Sequence, residues 1–305
     1  MSAIKRTLGR VLTSDRTFEF FQKFGVHIVP NHFYSPIPDT RPLKARDELW
    51  NRELTLAGVD LNESGQLEML DRFEAFRGEY DFPLEPTGTP GEYFIRNGGF
   101  GFVSATALHG MIRHFKPRRI IEVGSGFSTL VSARAIRMND AEGRSTELTA
   151  IEPYPNPTLR SGVDGLTRLV TEKVEDVDAG FFDVLEAGDI LFIDSSHVLR
   201  TGGDVNHLYL EVLPRLNKGV VIHIHDIFFP LDYPRDWVVG KRRFWTEQYG
   251  LQMFLAFNSA FRVLWCGGFM YLRHREALAR IFPPPEGLGT ERDYFSSSFW
   301  MQKVT

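Results

Sequence analysis

The 305-residue chain has one cysteine, Cys266, so no internal disulfide framework can support it. It has no apolar run near the roughly 18 residues that a membrane-spanning helix needs. Nor has it an excess of positive charge. Lys and Arg total 35 against 39 Asp and Glu, a formal net charge of −4, which argues against a polyanion-binding surface over the whole molecule and against nucleic acid as a partner, and leaves only a local basic patch open. Internal repeats and low-complexity segments are absent. What the chain does have is 26 Phe within an ordinary globular balance of 43% hydrophobic and 24% charged residues. That much Phe implies an aromatic-rich core or an apolar groove, core packing being its commoner use.

Residues 1–12 (MSAIKRTLGRVL) place Ile4, Leu8, Val11 and Leu12 at helical spacing with Lys5, Arg6 and Arg10 between them. The segment lacks the continuous apolar stretch and small-residue cleavage site of a secretory signal, so the expected location is cytoplasmic. It reads as a short docking helix, with contact to a membrane surface as the second reading. Prolines at 30, 36, 38 and 42 mark an extended connector. Leu67, Leu70, Phe73 and Phe76 then give a helix over 64–77 one apolar face. Residues 1–95 therefore read as a partly helical, irregular extension, either a cover for the site or a homodimer contact, and 96–305 as the main domain.

From residue 100 the rhythm is regular. Helix patterns at 103–115, 128–138, 181–187 and 204–216 alternate with the short apolar runs RRIIEV (118–123), ELTAIE (147–152), TRLVTEKV (167–174), DILFID (189–194) and GVVIHIHD (219–226). Such alternation predicts an α/β, Rossmann-like, mostly parallel sheet with helices on both faces. FRVLWC (261–266) and GGFMYLRH (267–274) are so close that they predict a terminal antiparallel hairpin.

Ligands of open α/β sheets bind beyond the carboxyl ends of the strands. The first run ends Glu122-Val-Gly124-Ser125-Gly126-Phe-Ser128-Thr129, where two glycines permit a tight turn and close approach of a ligand. The second ends at Glu152, a carboxylate suited to both hydroxyls of a ribose. A dinucleotide fingerprint would want a third glycine where Thr129 stands, and the charge of Glu122 would oppose a pyrophosphate. S-adenosylmethionine carries no phosphate, and its ammonium and sulfonium groups suit an acid beside the turn. A dehydrogenase is accordingly the disfavoured reading.

IIEVGSGFSTL, the acid in AIEPYP, and FIDSSHVLRTGGD together resemble a class I S-adenosylmethionine-dependent methyltransferase over about residues 97–274. The nearest branch is that of bacterial metal-dependent macrolide-sugar O-methyltransferases, with Ser128 departing from the usual third glycine. The resemblance implies cofactor contacts from Glu122, Gly124, Ser125, Gly126, Ser128, Thr129, Glu152 and Asp194. Glu175 and Asp176, closing the third run, fall where adenine contacts occur in this fold.

The fourth run ends Asp194-Ser-Ser-His197 and the fifth His223-Ile-His225-Asp226. On neighbouring parallel strands Asp194 and Asp226 meet at one sheet edge. Methyl transfer to an alcohol needs an incipient alkoxide, supplied by a base, by a metal that lowers the hydroxyl pKa, or by both. Two carboxylates suit a hard divalent cation, magnesium or manganese, and His197 suits the base. The resembled sugar enzymes imply the same roles at Asp194, His197 and Asp226, and carry an acid where this chain has His225. An imidazole ligand there would shift preference toward softer metals. His223 lies deeper and reads as a core residue. Aromatics of the 227–237 loop (Phe228, Phe229, Tyr233, Trp237) could stack on an acceptor or pack on the sheet. The expectation is an O-methyltransferase for a hydroxyl of a sugar, glycoside or related small molecule. The alternatives are a metal-independent enzyme with a His197–Asp dyad and a non-catalytic nucleoside-binding regulatory module.

Overall fold

The computed structural model describes residues 3–289 and 294–305, so Met1 and Ser2 of the expected N-terminal helix lie outside the described residues. Helices α1 (Ala3–Leu12), α2 (Asp15–Gln22), α3 (Thr40–Lys44), α4 (Asp47–Asn51), α5 (Glu63–Phe73) and α6 (Phe102–Phe115) precede the first strand, β1 (Arg119–Val123). Then follow α7 (Phe127–Ala141), β2 (Glu147–Ile151), α8 (Pro157–Arg160), β3 (Arg168–Val170), β4 (Ile190–Ile193), α9 (Asp204–His207) and β5 (Val221–Ile224). The chain continues through α10 (Glu247–Leu255), β6 (Phe261–Cys266), α11 (Gly267–Arg273), α12 (Arg275–Ile281) and β7 (Phe299–Lys303). It divides into two compact units, Met1–Asn51 with Pro234–Phe244, and Arg52–Tyr233 with Trp245–Thr305. In the first, Arg235 Nη2 donates to the Lys44 carbonyl at 3.1 Å.

The second unit holds one seven-stranded sheet in the order β3-β2-β1-β4-β5-β7-β6. The first five strands are parallel, and β7 runs antiparallel to both β5 and β6. Strand order reverses between β1 and β4, which opens the crevice where ligands of such sheets bind. Because side chains alternate across a strand, each strand feeds two cores. Ile120, Leu148, Ile190 and Val221 pack with α5, α6, α7 and α12. Ile121, Ile151, Leu191 and Ile222 pack with the 174–185 and 205–216 segments and α10. Both faces are covered, as a parallel sheet requires. Phe73, Phe102, Phe182, Phe192, Phe229, Phe282 and Phe299 are fully buried, each worth roughly 1.5–3 kcal/mol by transfer.

The predicted mostly parallel sheet with antiparallel strands at its end is present, but three details differ. The 267–274 run is not a strand: it forms α11, and β6 pairs instead with β7. Close packing explains the helix. A Cβ on Gly267 would lie 2.4 Å from Ser296 Oγ, and one on Gly268 2.5 Å from the Phe229 carbonyl oxygen. Glycine is thus what lets this turn pass so near its neighbours, whereas the sequence pattern shows only the apolar residues after it. The helix expected over 204–216 is also irregular. α9 gives way to a wide turn over Leu208–Val212 and a tight one over Leu213–Arg215, where Pro214 cannot donate to a regular helix. The 181–187 segment is likewise a single tight turn, Ala179–Val184.

β6 ends the sheet, and α5 closes its open edge. Asn62 Nδ2 donates to the Val263 carbonyl at 2.7 Å, and the Cys266 amide donates to Gln66 Oε1 at 2.7 Å. The buried face of α5 is Gln66, Met69, Leu70 and Phe73, so a polar residue opens that face ahead of the apolar ones. Capping an edge by side chains blunts its tendency to pair with another chain.

Candidate active site

The turn after β1 is built around Gly124. Its φ is +77°, and a Cβ there would sit 1.9 Å from the Asp194 carbonyl oxygen, so only glycine lets β1 leave beside the end of β4. Nothing lies within 4 Å of a Cβ at Gly126, which leaves room above the turn. Thr129 Oγ1 accepts from the Gly126 amide at 3.0 Å and so fastens the turn to α7. The residue in the third-glycine position therefore has a local structural use.

Glu152, just beyond β2, accepts the Ser125 amide on one oxygen at 3.2 Å and the Tyr154 amide on the other at 2.7 Å. These two bonds orient its carboxylate while each oxygen retains a free lone pair. Glu152, Gly124, Glu175 and Asp194 line one cleft of about 330 Å³, together with Lys173, Ser195, Arg200 and Asp204. Asp176 is exposed and is not among the lining residues. The 195–203 loop over this cleft is pinned by Asp204, which accepts the Ser196 amide at 2.7 Å and hydroxyl at 2.6 Å.

Glu122 is wholly buried and accepts from Ser128 Oγ at 2.6 Å. Burial pushes its carboxyl up to about 8, helped by the nearby charges of Asp194 and Glu152 and resisted by the Ser128 and Thr129 hydroxyls. At neutral pH it is mostly a neutral acid, and a cation in the cleft would draw it toward ionisation. Its Oε2, Ser125 Oγ and Ser195 Oγ are buried with no partner in the protein. A cleft lined by the orphaned Ser195, a ribose-type acid and a glycine of the turn fits a polar, cationic nucleoside such as S-adenosylmethionine.

Beyond β4 and β5 the acids and histidines converge. Register pairs Ile193 with Ile224, so Asp194 and Asp226 leave neighbouring strands close together. Ligand atoms of Asp194, His197 and Asp226 all lie within 4.8 Å of one another. His197, at φ +62°, turns its Nε2 toward Asp194 Oδ1 (3.3 Å) and Asp226 Oδ2 (3.7 Å). Its Nδ1 meets Glu247 Oε2 at 2.8 Å, and its carbonyl accepts the amides of Thr246 and Glu247, at the start of α10. Trp245 lies against the imidazole, ring centroids 4.3 Å apart. Ser297 Oγ donates to Asp226 Oδ1 at 2.8 Å.

Burial alone would lower the His197 pKa, but its bonds to Asp194 and Glu247 outweigh burial and raise it well above the ordinary value. Burial likewise works to raise Asp194, and the charges of His225 and His197 hold it below its usual range. Glu247 is pushed up by burial, in part offset by His197. Two carboxylates facing one imidazole nitrogen require positive charge between them, either a second ring proton or a cation. With Nδ1–H given to Glu247, Nε2 is the free ligand nitrogen, the carboxylate–histidine arrangement common at metal sites. The donor set of one imidazole and two carboxylates fits a divalent cation.

His225 stands outside this triad. Its Nε2 is 3.7 Å from Asp226 Oδ1, its ring lies against Phe100, and its Nδ1 is buried without a partner. His223 is buried between Phe192 and Trp300, and burial holds it well below the ordinary histidine value. Phe228, Phe229 and Tyr233 are buried, while Trp237 packs with Arg243 in the smaller unit. Asn97 braces its own turn, accepting the Gly99 and Phe100 amides at 2.8 Å. Sequence reasoning missed Glu247 and Ser297. Glu247 does carry one signal, an acid opening a helix pattern after a tryptophan, but nothing local ties it to His197.

Part of the chain matches known proteins. The methyltransferase-domain family matches residues 121–227, from within β1 to just past Asp226. An uncharacterized protein of Archaeoglobus fulgidus is 36% identical over 165 residues, 52% of this chain and 73% of that protein. Among solved structures, the plantazolicin methyltransferase BamL, in complex with a triazolic desmethylPZN analog and SAH, aligns at 13% identity and TM-score 0.41. That alignment covers 80% of this chain and 97% of BamL. The Bacillus cereus O-methyltransferase in complex with SAH aligns at 14% identity and TM-score 0.35, covering 78% and 91%. The chain belongs to one family with the archaeal protein, and its residues 121–227 match the methyltransferase-domain family.

Proposed function

We propose that the protein is an O-methyltransferase that activates a hydroxyl of a sugar, glycoside or related small molecule at the Asp194–His197–Asp226 cluster. The observation that carries this reading is the position of that cluster. Asp194 belongs both to it and to the cleft that holds Glu152 and the glycine turn. A methyl donor in the cleft would therefore abut the group that prepares the acceptor.

Asp194, Asp226 and the Nε2 of His197 would hold a divalent cation, and the imidazole favours manganese or another transition ion over magnesium. Such a cation would supply the charge that lowers the pKa of the acceptor hydroxyl. Glu247 keeps the proton on Nδ1, and Ser297 fixes the Asp226 carboxylate. Burial of His197 and Glu247 limits competition from water. The 2.8 Å bond between His197 and Glu247 favours one second reading, a metal-free base dyad.

Calorimetric titration with S-adenosylhomocysteine, followed by an acceptor screen with and without chelator, separates these readings. Binding that survives chelation while transfer is abolished supports the cation. Transfer unchanged after thorough chelation would leave the dyad. Failure of folded protein to bind S-adenosylhomocysteine would sink both.

A further inference from the structure

Ten of the sixteen exposed large hydrophobic side chains among the described residues fall between Leu8 and Ile37. The set includes Leu8, Val11, Phe20, Phe24, Phe33 and Tyr34, with Phe33 87% and Tyr34 80% exposed. α2 buries no residue at all. Phe20, on α2, and Phe24, just past its end, hold their rings 5.3 Å from each other, and both are exposed. Outside the sheet unit, this density of exposed apolar surface is what marks an interaction face.

Charge says what the face meets. The chain as a whole is at −4, yet residues 1–38 carry five basic side chains (Lys5, Arg6, Arg10, Arg16, Lys23) against two acidic ones. Arg10, Arg16 and Lys23 are exposed beside the apolar residues. Residues 24–38 (FGVHIVPNHFYSPIP) hold no Asp, Glu, Lys or Arg. Two copies of the segment would set like charge against like, which disfavours self-association through it. Aromatic rings with basic residues beside them suit a lipid headgroup layer: the rings sit at interfacial depth and the cations meet anionic lipid. At ten residues, α1 is too short to span a bilayer but long enough to lie on one.

We propose that residues 3–37 form a peripheral membrane-binding face selective for anionic lipid. Flotation of the full chain with vesicles tests it, using phosphatidylcholine alone and phosphatidylcholine mixed with phosphatidylglycerol. The protein should float with the mixed vesicles, bind the neutral ones far less, and detach as salt rises. The double variant Phe20→Ser/Phe24→Ser should lose at least about tenfold in vesicle affinity. Arg10→Gln and Arg16→Gln should each lose about fivefold on the mixed vesicles. These positions are exposed and remote in sequence from the cleft, so calorimetric S-adenosylhomocysteine binding should match wild type and report an intact fold. Wild type that floats with neither vesicle, or variants that float as well as wild type, would overturn the proposal. So would light scattering that showed a dimer split by the Phe20/Phe24 variant with no vesicle binding.

Discussion

Glu247 makes one strong contact with the cluster, and that contact fixes which nitrogen of His197 is free. Glu247→Ala should weaken manganese binding about 10–100-fold in a competition titration with a chromophoric chelator. S-adenosylhomocysteine binding should be unchanged. Glu247→Gln keeps an acceptor for Nδ1–H and should fall between, whereas a purely structural role would lower thermal stability in both variants and leave metal affinity alone. Glu122 gives a second test at this scale, with the opposite sense to an ordinary carboxylate. Its folded pKa of about 8 exceeds the ordinary 4.5, so the folded state holds a proton that the unfolded state releases between those values. Its contribution therefore declines as pH rises from 4.5 to 8. Glu122→Gln removes that titration. The stability of the variant relative to wild type, from urea unfolding, should improve steadily from pH 5 to pH 8 and then level off; a difference independent of pH would refute the neutral-acid assignment.

Among elements, α5 matters for its two amides rather than its apolar stripe. Gln66→Ala leaves the buried Cys266 amide without its acceptor and should cost roughly 1–3 kcal/mol in denaturant unfolding. A cost below about 0.5 kcal/mol would mean that the edge finds another partner. The same element shows what a sequence discloses. The helix was legible from its period, but Gln66 looks like an ordinary polar residue ahead of the stripe until β6 is seen beside it. The five parallel strands and their terminal acids were legible because apolar runs ending in Gly, Glu or Asp are local patterns. β7 was not, since FWMQK has no turn signal tying it to β6 across the 32 residues between them. The site divides in the same way. Asp194, His197 and Asp226 sit at strand ends and could be read, whereas Glu247 and Ser297 reach them from 50 and 71 residues away. His225, chosen for its place in the motif, is turned against Phe100 instead of joining the triad.

For the whole molecule, the bundle joining residue 79, α6 and α7 contributes to acid stability. Glu79 bonds His109 Nε2 at 2.7 Å and Arg113 Nε at 2.9 Å, and Arg113 in turn pairs with Glu142. Burial holds His109 below the ordinary 6.5, against the pull of Glu79. Burial works to raise Glu79, and its bonds to His109 and Arg113 hold it below 4.5. Both folded pKa values are depressed, so both contributions are present above the ordinary values and are lost on acidification. His109 acts first, below about pH 6.5, and Glu79 below about 4.5. His109→Gln, which can still donate to Glu79, should flatten the fall in melting temperature between pH 6.5 and 5; an unaltered slope would assign that fall elsewhere.

The place of β7 between β5 and β6 has a kinetic consequence. β5 ends about 75 residues before β7 begins, so this is the sheet's most distant pairing in sequence and among the slowest to close. Without β7 docked, the lane between β5 and β6 is vacant and leaves the edges of both strands unpaired. The Phe299–Lys303 strand of a second molecule could enter that lane in place of the molecule's own. Refolding at high concentration should then yield strand-exchanged dimers, through the same pairing that completes the monomer.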